Sequence, residues 1–540
     1  MPGLLIDIFI LPLKKHLTLR TNKTFMKIAF VNDCVERLGV EYLSAVLKNA
    51  GHDTNLFVDP QLFNDVYIHS NTLGKLFDFK EFLLLQIINY NPDLICFSVD
   101  TESYQWACNI AKLIKNNIDV PILFGGIHPS SIPERVISND FIDIVCIGEG
   151  EDAILELVEN MKNGIIDHSI KNLWFKKEGG IVQNGIRPLK EDLDSIPRAD
   201  RTLFFNNSPH FRKGYGTITT RGCPFSCNYC CHSYLKILYR DTNCYYRQRS
   251  VRSIIKEIID DLTLYKTDHI VFFDDCFGFN NEWLKEFSEE YHNTVNMPFI
   301  CTTYPNIVTE NYVKLLKKAG CCSITLGIQS WDSDIQKKWF NRNVSKETML
   351  KAIELILKEG IELVCDNIFD VPFHSHDEYI QTLLNYTIHK PTRINFNQLK
   401  YYPNTKITEY SKENRVFSDE DFSNILNGNL QKGIYLNSFS SNDKDKLFIK
   451  MSIFLYIMDI LPKKLSKYII NNKSYRYFPG FINPAIFMFF RTLFSRDIDA
   501  KYFKRRSFVR YNHYFWKILS MKFKKPFKRT RNEEQRRNHN

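Results

Sequence analysis

Tyr215-Gly-Thr-Ile-Thr-Thr220-Arg-Gly-Cys223-Pro-Phe-Ser-Cys227-Asn-Tyr-Cys230 is the stretch on which the fold turns. Its first half, Tyr215 to Thr220, has the residue types of a strand, and its second half spaces three thiols as C-x3-C-x2-C in a loop. Five more short apolar runs follow at helix-length intervals: His269 to Asp274, Pro298 to Thr303, Cys322 to Gly327, Glu362 to Ile368 and Arg393 to Leu399. Amphipathic stretches such as Val251 to Leu264 and Lys346 to Glu359 lie between them. Six repeats of strand then helix predict a partial (β/α)6 barrel over residues 205–424.

Upstream, a first alternating series occupies residues 26–164. Lys27 to Val31, Leu94 to Ser98, Pro121 to Phe124 and Ile142 to Ile147 read as buried strands, and Val40 to Ala50 as a helix. Gly125-Gly126 and Gly148-Glu-Gly150 close two of the strands, which predicts a doubly wound parallel sheet with its ligand beyond the carboxyl ends. Residues 165–204 read as a linker with a small hairpin, and residues 425–540 as a helical, basic region. The fold class is therefore α/β with a helical C-terminal region. Residues 1–25 are expected to be an extension without a convincing export signal.

The chain has 540 residues, 44% of them apolar and 24% charged, which is enough for two or three folded domains and excludes disorder as the default. Fourteen cysteines in so long a chain, with none after Cys365, suggest ligation in a reducing cytoplasm and not a disulfide framework. Residues 501–540 carry 14 Lys/Arg against 2 Asp/Glu, so the basic balance of +10 belongs to the tail. There, aromatic and cationic residues interleave in Phe503-Lys-Arg-Arg506, Phe515-Trp-Lys-Ile-Leu519 and Lys522 to Arg529. Such a segment suits peripheral contact with the inner face of an anionic membrane; nucleic acid, and a solvated helix without a partner, are the competing readings. No apolar run reaches the roughly 20 residues of a transmembrane helix.

Three close thiolates can hold three corners of a [4Fe–4S] cluster and leave one iron open for a ligand. A zinc site completed by Cys231, His232 or Cys244 is the second reading, and incidental thiols the third. The strand ends favour a catalytic loop, because they carry Asp274-Asp275, Thr302-Thr303, Gln329-Ser330, Asp366-Asn367 and Gln398 with Tyr401. Each has a plainer reading. Asp274-Asp275 can cap the next helix, Gln329-Ser330 can be turn residues, and Arg342 can lie on the surface.

The cysteine loop resembles the signature of radical S-adenosylmethionine (radical SAM) enzymes. Other segments resemble the branch with an N-terminal cobalamin-binding domain: Leu38-Gly-Val-Glu-Tyr-Leu43, Ala50-Gly-His52, Gly125-Gly-Ile-His-Pro129, Gly148-Glu-Gly-Glu151, Phe272-Phe-Asp-Asp275, Gly327-Ile-Gln-Ser330, Asn341-Arg-Asn343 and Tyr402-Pro-Asn-Thr405. The resemblance spans about Lys27 to Tyr410 and implies a [4Fe–4S] cluster on Cys223, Cys227 and Cys230, with S-adenosylmethionine on the open iron. It implies reductive cleavage to a 5′-deoxyadenosyl radical, fed by an electron donor such as flavodoxin or ferredoxin. It places Asp274, Gln329, Ser330 and Arg342 near S-adenosylmethionine, and Gly125, Gly126 and Gly148 near cobalamin. Family members often have Glu where Gln329 stands.

The D-x-H-x-x-G loop that presents a histidine to cobalt in many cobalamin domains is missing, since the loop after the first strand reads Asn32-Asp-Cys-Val-Glu-Arg-Leu-Gly39. His52 and His128 are expected to be turn or surface residues. The leading functional expectation is methyl transfer to an unactivated carbon of a small molecule, with an apolar or lipid-like substrate fitting the tail. Oxidative cyclisation or rearrangement is the alternative on the same scaffold, and a non-catalytic cobalamin or iron–sulfur sensor the alternative of another class.

Overall fold

A computed structural model describes residues 23–65, 68, 70–242, 244–372 and 377–429, and in the C-terminal region 450, 453–454, 457–458, 461–478, 491, 495 and 497–524. The expected extension, except for residues 23–25, and part of the region expected to be helical and basic lie outside these residues. The chain divides into two compact units, one of residues up to Asp59 together with Phe79–Arg187, the other of Pro60–Asp78 and everything from Pro188.

The first unit is built on a seven-stranded sheet. Strands β1 (Lys27–Asn32), β2 (Asp53–Val58), β3 (Leu94–Ser98), β4 (Ile122–Gly125) and β5 (Ile144–Cys146) run parallel in the order β2-β1-β3-β4-β5. The inner strands are near-continuous apolar runs, because helices cover both faces of a parallel sheet. Strand β2 is not expected from the sequence. It sits on the sheet edge, so Asp53 and Asn55 face water, and the polar first half of Asp53-Thr-Asn-Leu-Phe-Val58 hides its identity. The hairpin expected in a linker is instead part of this sheet. Strands β6 (Leu173–Lys177) and β7 (Gly180–Gln183) add to β5 antiparallel.

The second unit carries six parallel strands in the order β15-β14-β13-β12-β11-β8. These are β8 (Tyr215–Thr217), β11 (Ile270–Phe272), β12 (Phe299–Thr303), β13 (Cys321–Gln329), β14 (Glu362–Phe369) and β15 (Arg393–Gln398). Strands β8 and β15 do not pair with one another, so the barrel is open, as six repeats predict. Beyond β8 the chain makes a short antiparallel pair, β9 (Thr220–Arg221) with β10 (Arg247–Gln248), and the three cysteines lie between them.

The basic tail forms a helix, Ile498–Lys524, and much of its aromatic surface is spent inside the protein. Tyr514 and Ile518 are buried, Tyr502 meets His269 edge-on, and Phe515 stacks on Phe77. Arg505 pairs with Asp268 and Arg510 with Asp65, to which Tyr511 also donates at 2.7 Å. Phe508 and Trp516 stay exposed. No helix among the described residues is long and apolar enough to cross a membrane.

Candidate active site

The site begins where β9 ends. Gly222 has φ +82°, and a Cβ there would lie 2.3 Å from the Tyr245 carbonyl oxygen, so only glycine lets the loop turn so close to the neighbouring backbone. Cys223 and Cys227 are buried and Cys230 partly so. Cys230 is the N-cap of the helix Cys231–Leu238, where unpaired backbone N–H groups favour an anionic sulfur. Its thiol is pushed down to about 6, chiefly by the hydrogen bond from Cys231, whereas burial pushes Cys223 up to about 12.

Three cysteines gathered in so buried a loop are a donor set that a metal centre would complete. A lysine braces the loop. Lys236 Nζ donates to the carbonyls of Pro224 and Phe225 at 3.1 and 2.8 Å and to Ser226 Oγ at 2.9 Å. From the other side Asn228 N–H donates to Phe340 O, its side chain to Trp339 O, and Asn341 Nδ2 to Ser226 O at 2.9 Å. Ile407 N–H closes the frame on Asn228 O. Asn341 and the start of the helix at Ile407 are therefore loop supports.

The ligand atoms of Cys230, Cys231 and His232 also lie within 4.8 Å of one another, the arrangement a zinc reading would need. The ring of His232 is already taken on both sides: Nδ1 meets Tyr245 Oη at 2.6 Å and Nε2 meets Asp275 at 2.7 Å. Cys244 is exposed and bonds the Tyr246 carbonyl. The loop thus favours the C-x3-C-x2-C set.

Asp274, at the end of β11, is fully enclosed. It accepts from Thr219 N–H at 3.0 Å, Thr219 Oγ1 at 2.7 Å and Thr220 Oγ1 at 2.5 Å. It caps no helix, since Asn280 caps Asn281–Thr294. Its work is to fasten the entry to the cysteine loop. Ser330 is likewise committed, donating to Glu378 at 2.6 Å and accepting from Asp332 N–H. Gln329 has φ +68°, in keeping with its turn, and its carboxamide has no hydrogen-bond partner among the described residues. Arg342 is a buried residue, not a surface one, and lies 3.8 Å from Cys227 Sγ.

Glu378, on the helix Asp377–Ile388, is the residue that sequence reasoning missed; only the tertiary fold sets it against Ser330. Burial raises its carboxyl to about 7, above the unfolded value of 4.5. The folded state then holds a proton that the unfolded state has lost, so stability present below pH 4.5 is lost as pH rises through 7. Glu378→Gln is expected to flatten this fall and to gain about 1–3 kcal/mol at pH 8. Urea unfolding at pH 5 and pH 8 checks it; an equal change at both would contradict it.

In the first unit the glycines meet the expectation of tight turns at strand ends. Gly126 has φ +103°, and a Cβ there would clash with Val99 O at 2.5 Å. Ser130 Oγ donates to Gly126 O and accepts from Gly148 N–H, joining two turns, while Gly125 packs on Cys146. His52 and His128 are not turn or surface residues. His52 is 5% exposed and sits between Met26 N–H and Glu159; His128 is fully buried against Tyr104 and Thr101, and burial lowers it to about 4. Both are aromatic filling for a core that periodicity alone does not reveal.

The fold and site define a class: a doubly wound ligand domain followed by an open six-stranded parallel barrel with a three-thiolate loop after its first strand. Residues 28–158 match the B12 binding domain and residues 217–384 the radical SAM superfamily. An uncharacterized methyltransferase of Pyrococcus horikoshii is 26% identical over 446 residues, covering 81% of this chain and 91% of the relative. The anaerobic magnesium-protoporphyrin IX monomethyl ester cyclase of Rubrivivax gelatinosus is 25% identical, covering 60% and 56%. Among solved structures, the cobalamin-dependent radical enzyme OxsB superposes with TM-score 0.64 at 17% identity, covering 88% of this chain and 74% of that one. The radical SAM methyltransferase TsrM of Kitasatospora setae gives 0.58 at 17%, covering 72% and 76%.

The chain belongs to the cobalamin-binding radical SAM enzymes. Its cofactors are a [4Fe–4S] cluster, S-adenosylmethionine and cobalamin. Membership as an enzyme sets aside the sensor reading.

Proposed function

We propose that the protein is a methyltransferase acting on an unactivated carbon of a small, apolar substrate. The observation that carries this reading is the buried, braced three-thiolate loop in a chain that also has a B12 binding domain and covers 91% of a relative named a methyltransferase. When bound, the cluster with S-adenosylmethionine supplies a carbon-centred radical and cobalamin supplies the methyl group.

The residues divide the work. Cys223, Cys227 and Cys230 would hold the cluster. Gln329, whose carboxamide has no hydrogen-bond partner among the described residues, would meet S-adenosylmethionine, while Asp274 and Ser330 fix the backbone near it and Arg342 lies beside Cys227. Gly125, Gly126 and Gly148 make the turns at the strand ends, where cobalamin would bind. With His52 and His128 both buried and bonded, neither is free to ligate cobalt. Cyclisation or rearrangement is the second reading, favoured by the similarity to the magnesium-protoporphyrin cyclase.

The test is anaerobic reconstitution with cobalamin, S-adenosylmethionine and a chemical reductant. S-adenosylhomocysteine together with 5′-deoxyadenosine supports methyl transfer, and 5′-deoxyadenosine alone supports the second reading. In the same assay Gln329→Ala is expected to raise the S-adenosylmethionine requirement about tenfold, as loss of one polar contact would. The bound cofactor is expected to lack the paramagnetic signature of imidazole on cobalt; its presence would defeat the histidine-free reading.

Peripheral membrane contact rests on the exposed Phe508 and Trp516 and on the basic balance of the tail. Sedimentation with anionic liposomes at low salt tests it, and recovery of the whole protein in the supernatant ends it. The electron donor is expected to be a small one-electron carrier of the flavodoxin or ferredoxin kind.

A further inference from the structure

Arg342 is 3% exposed, and every group around its guanidinium is neutral. Nε donates to Gln336 Oε1 at 3.0 Å, Nη1 to Tyr229 Oη at 3.1 Å and Nη2 to the Gly327 carbonyl. One face lies on the Tyr304 ring, 4.2 Å from its centroid, and Phe225 of the cysteine loop stacks on Tyr304 with ring centroids 3.8 Å apart. Among the described residues no carboxylate pairs with Arg342.

A cation removed from water without a counter-anion is costly, and one held by four neutral partners has been fixed in place for a charge that arrives later. The group beside it that would carry charge as a cluster ligand is Cys227, whose Sγ is 3.8 Å from Nη1. The neutral partners set direction: Gln336, Tyr229 and Gly327 hold three edges of the fork, so the charge cannot swing away from the sulfur.

We propose that Arg342 is the residue that sets the reduction potential of the cluster, as a fixed positive charge against the Cys227 ligand sulfur. This rests on the cluster reading, and adds to it the source of its tuning. One-electron reduction takes an electron from the external donor and adds one negative charge to the cluster and its three thiolates. A buried cation in contact with a ligand sulfur stabilises that extra charge and raises the potential. Arg342 is here a positioning and tuning residue, which needs no contact with substrate.

The experiment is a redox titration of the reconstituted full-length protein followed by the paramagnetic signal of the reduced cluster, without S-adenosylmethionine. Iron content is measured first and reports the cluster reading separately. Arg342→Gln is expected to make reduction at least tenfold less favourable, a fall of about 59 mV for one electron. Arg342→Lys keeps the charge but loses the fork, and is expected to fall between Arg342→Gln and the native protein. Tyr229→Phe removes a neutral partner of the fork and a hydroxyl that also meets Cys227, and is expected to lower the potential less than Arg342→Gln. An unchanged potential in both Arg342 variants with full iron content, accompanied by weaker S-adenosylmethionine binding, would overturn the proposal and assign the cation to that ligand. Loss of iron in both would overturn it in favour of a structural role.

Discussion

Cys223→Ala, Cys227→Ala and Cys230→Ala are each expected to abolish reductive cleavage of S-adenosylmethionine, with iron per chain falling well below four. On the proposed assignment each removes one of three ligands, and neither neighbouring thiol is placed to replace it. Cys231 points its hydrogen bond at Cys230 from inside the helix, and Cys244 is exposed and bonded to Tyr246. Cys231→Ala and Cys244→Ala are therefore expected to retain the cluster and its cleavage activity. Iron and sulfide analysis with a 5′-deoxyadenosine assay reads both halves. Stoichiometric zinc without iron–sulfur absorption after anaerobic reconstitution would refute the assignment.

Asp274→Ala should be the most damaging change outside the cysteines. It strands the Thr219 N–H and the hydroxyls of Thr219 and Thr220 in a site that water does not reach. At about 1–3 kcal/mol for each unsatisfied group, partly relieved by relaxation, the total is about 3–5 kcal/mol. The loss is local to the entry of the cysteine loop, so iron retention is expected to fall together with stability. Asp274→Asn keeps one acceptor oxygen and is expected to lose less. Urea unfolding paired with iron content gives the answer; a stable Asp274→Ala variant with native iron would show that the loop holds itself.

Cys223, Cys227 and Cys230 stood out in the sequence as candidate ligands because their spacing is local: it sets all three in one short loop between β9 and the helix that Cys230 caps. The six barrel strands were legible for a related reason, since a parallel strand buried on both faces is a short apolar run. Where burial was one-sided the signal failed. Strand β2 has water on its outer edge, and its polar residues broke the run that marks its neighbours.

The sequence by itself determined the two α/β series, the cysteine loop and the glycine turns at the strand ends, because each is written in residues a few positions apart. Tertiary structure alone decided what the distant residues do. Asp274 reaches back 55 positions to Thr219, Arg342 reaches back 115 to Cys227, and Glu378 reaches 48 to Ser330. The same holds for the tail, whose aromatic and basic pattern suggested a membrane but whose Arg510 and Phe515 are held by Asp65 and Phe77, more than 430 positions away. Periodicity records which face of an element is apolar. It carries no record of which partner arrives to cover that face, since pairing across such separations is fixed by how the strands stack and by the burial that stacking allows.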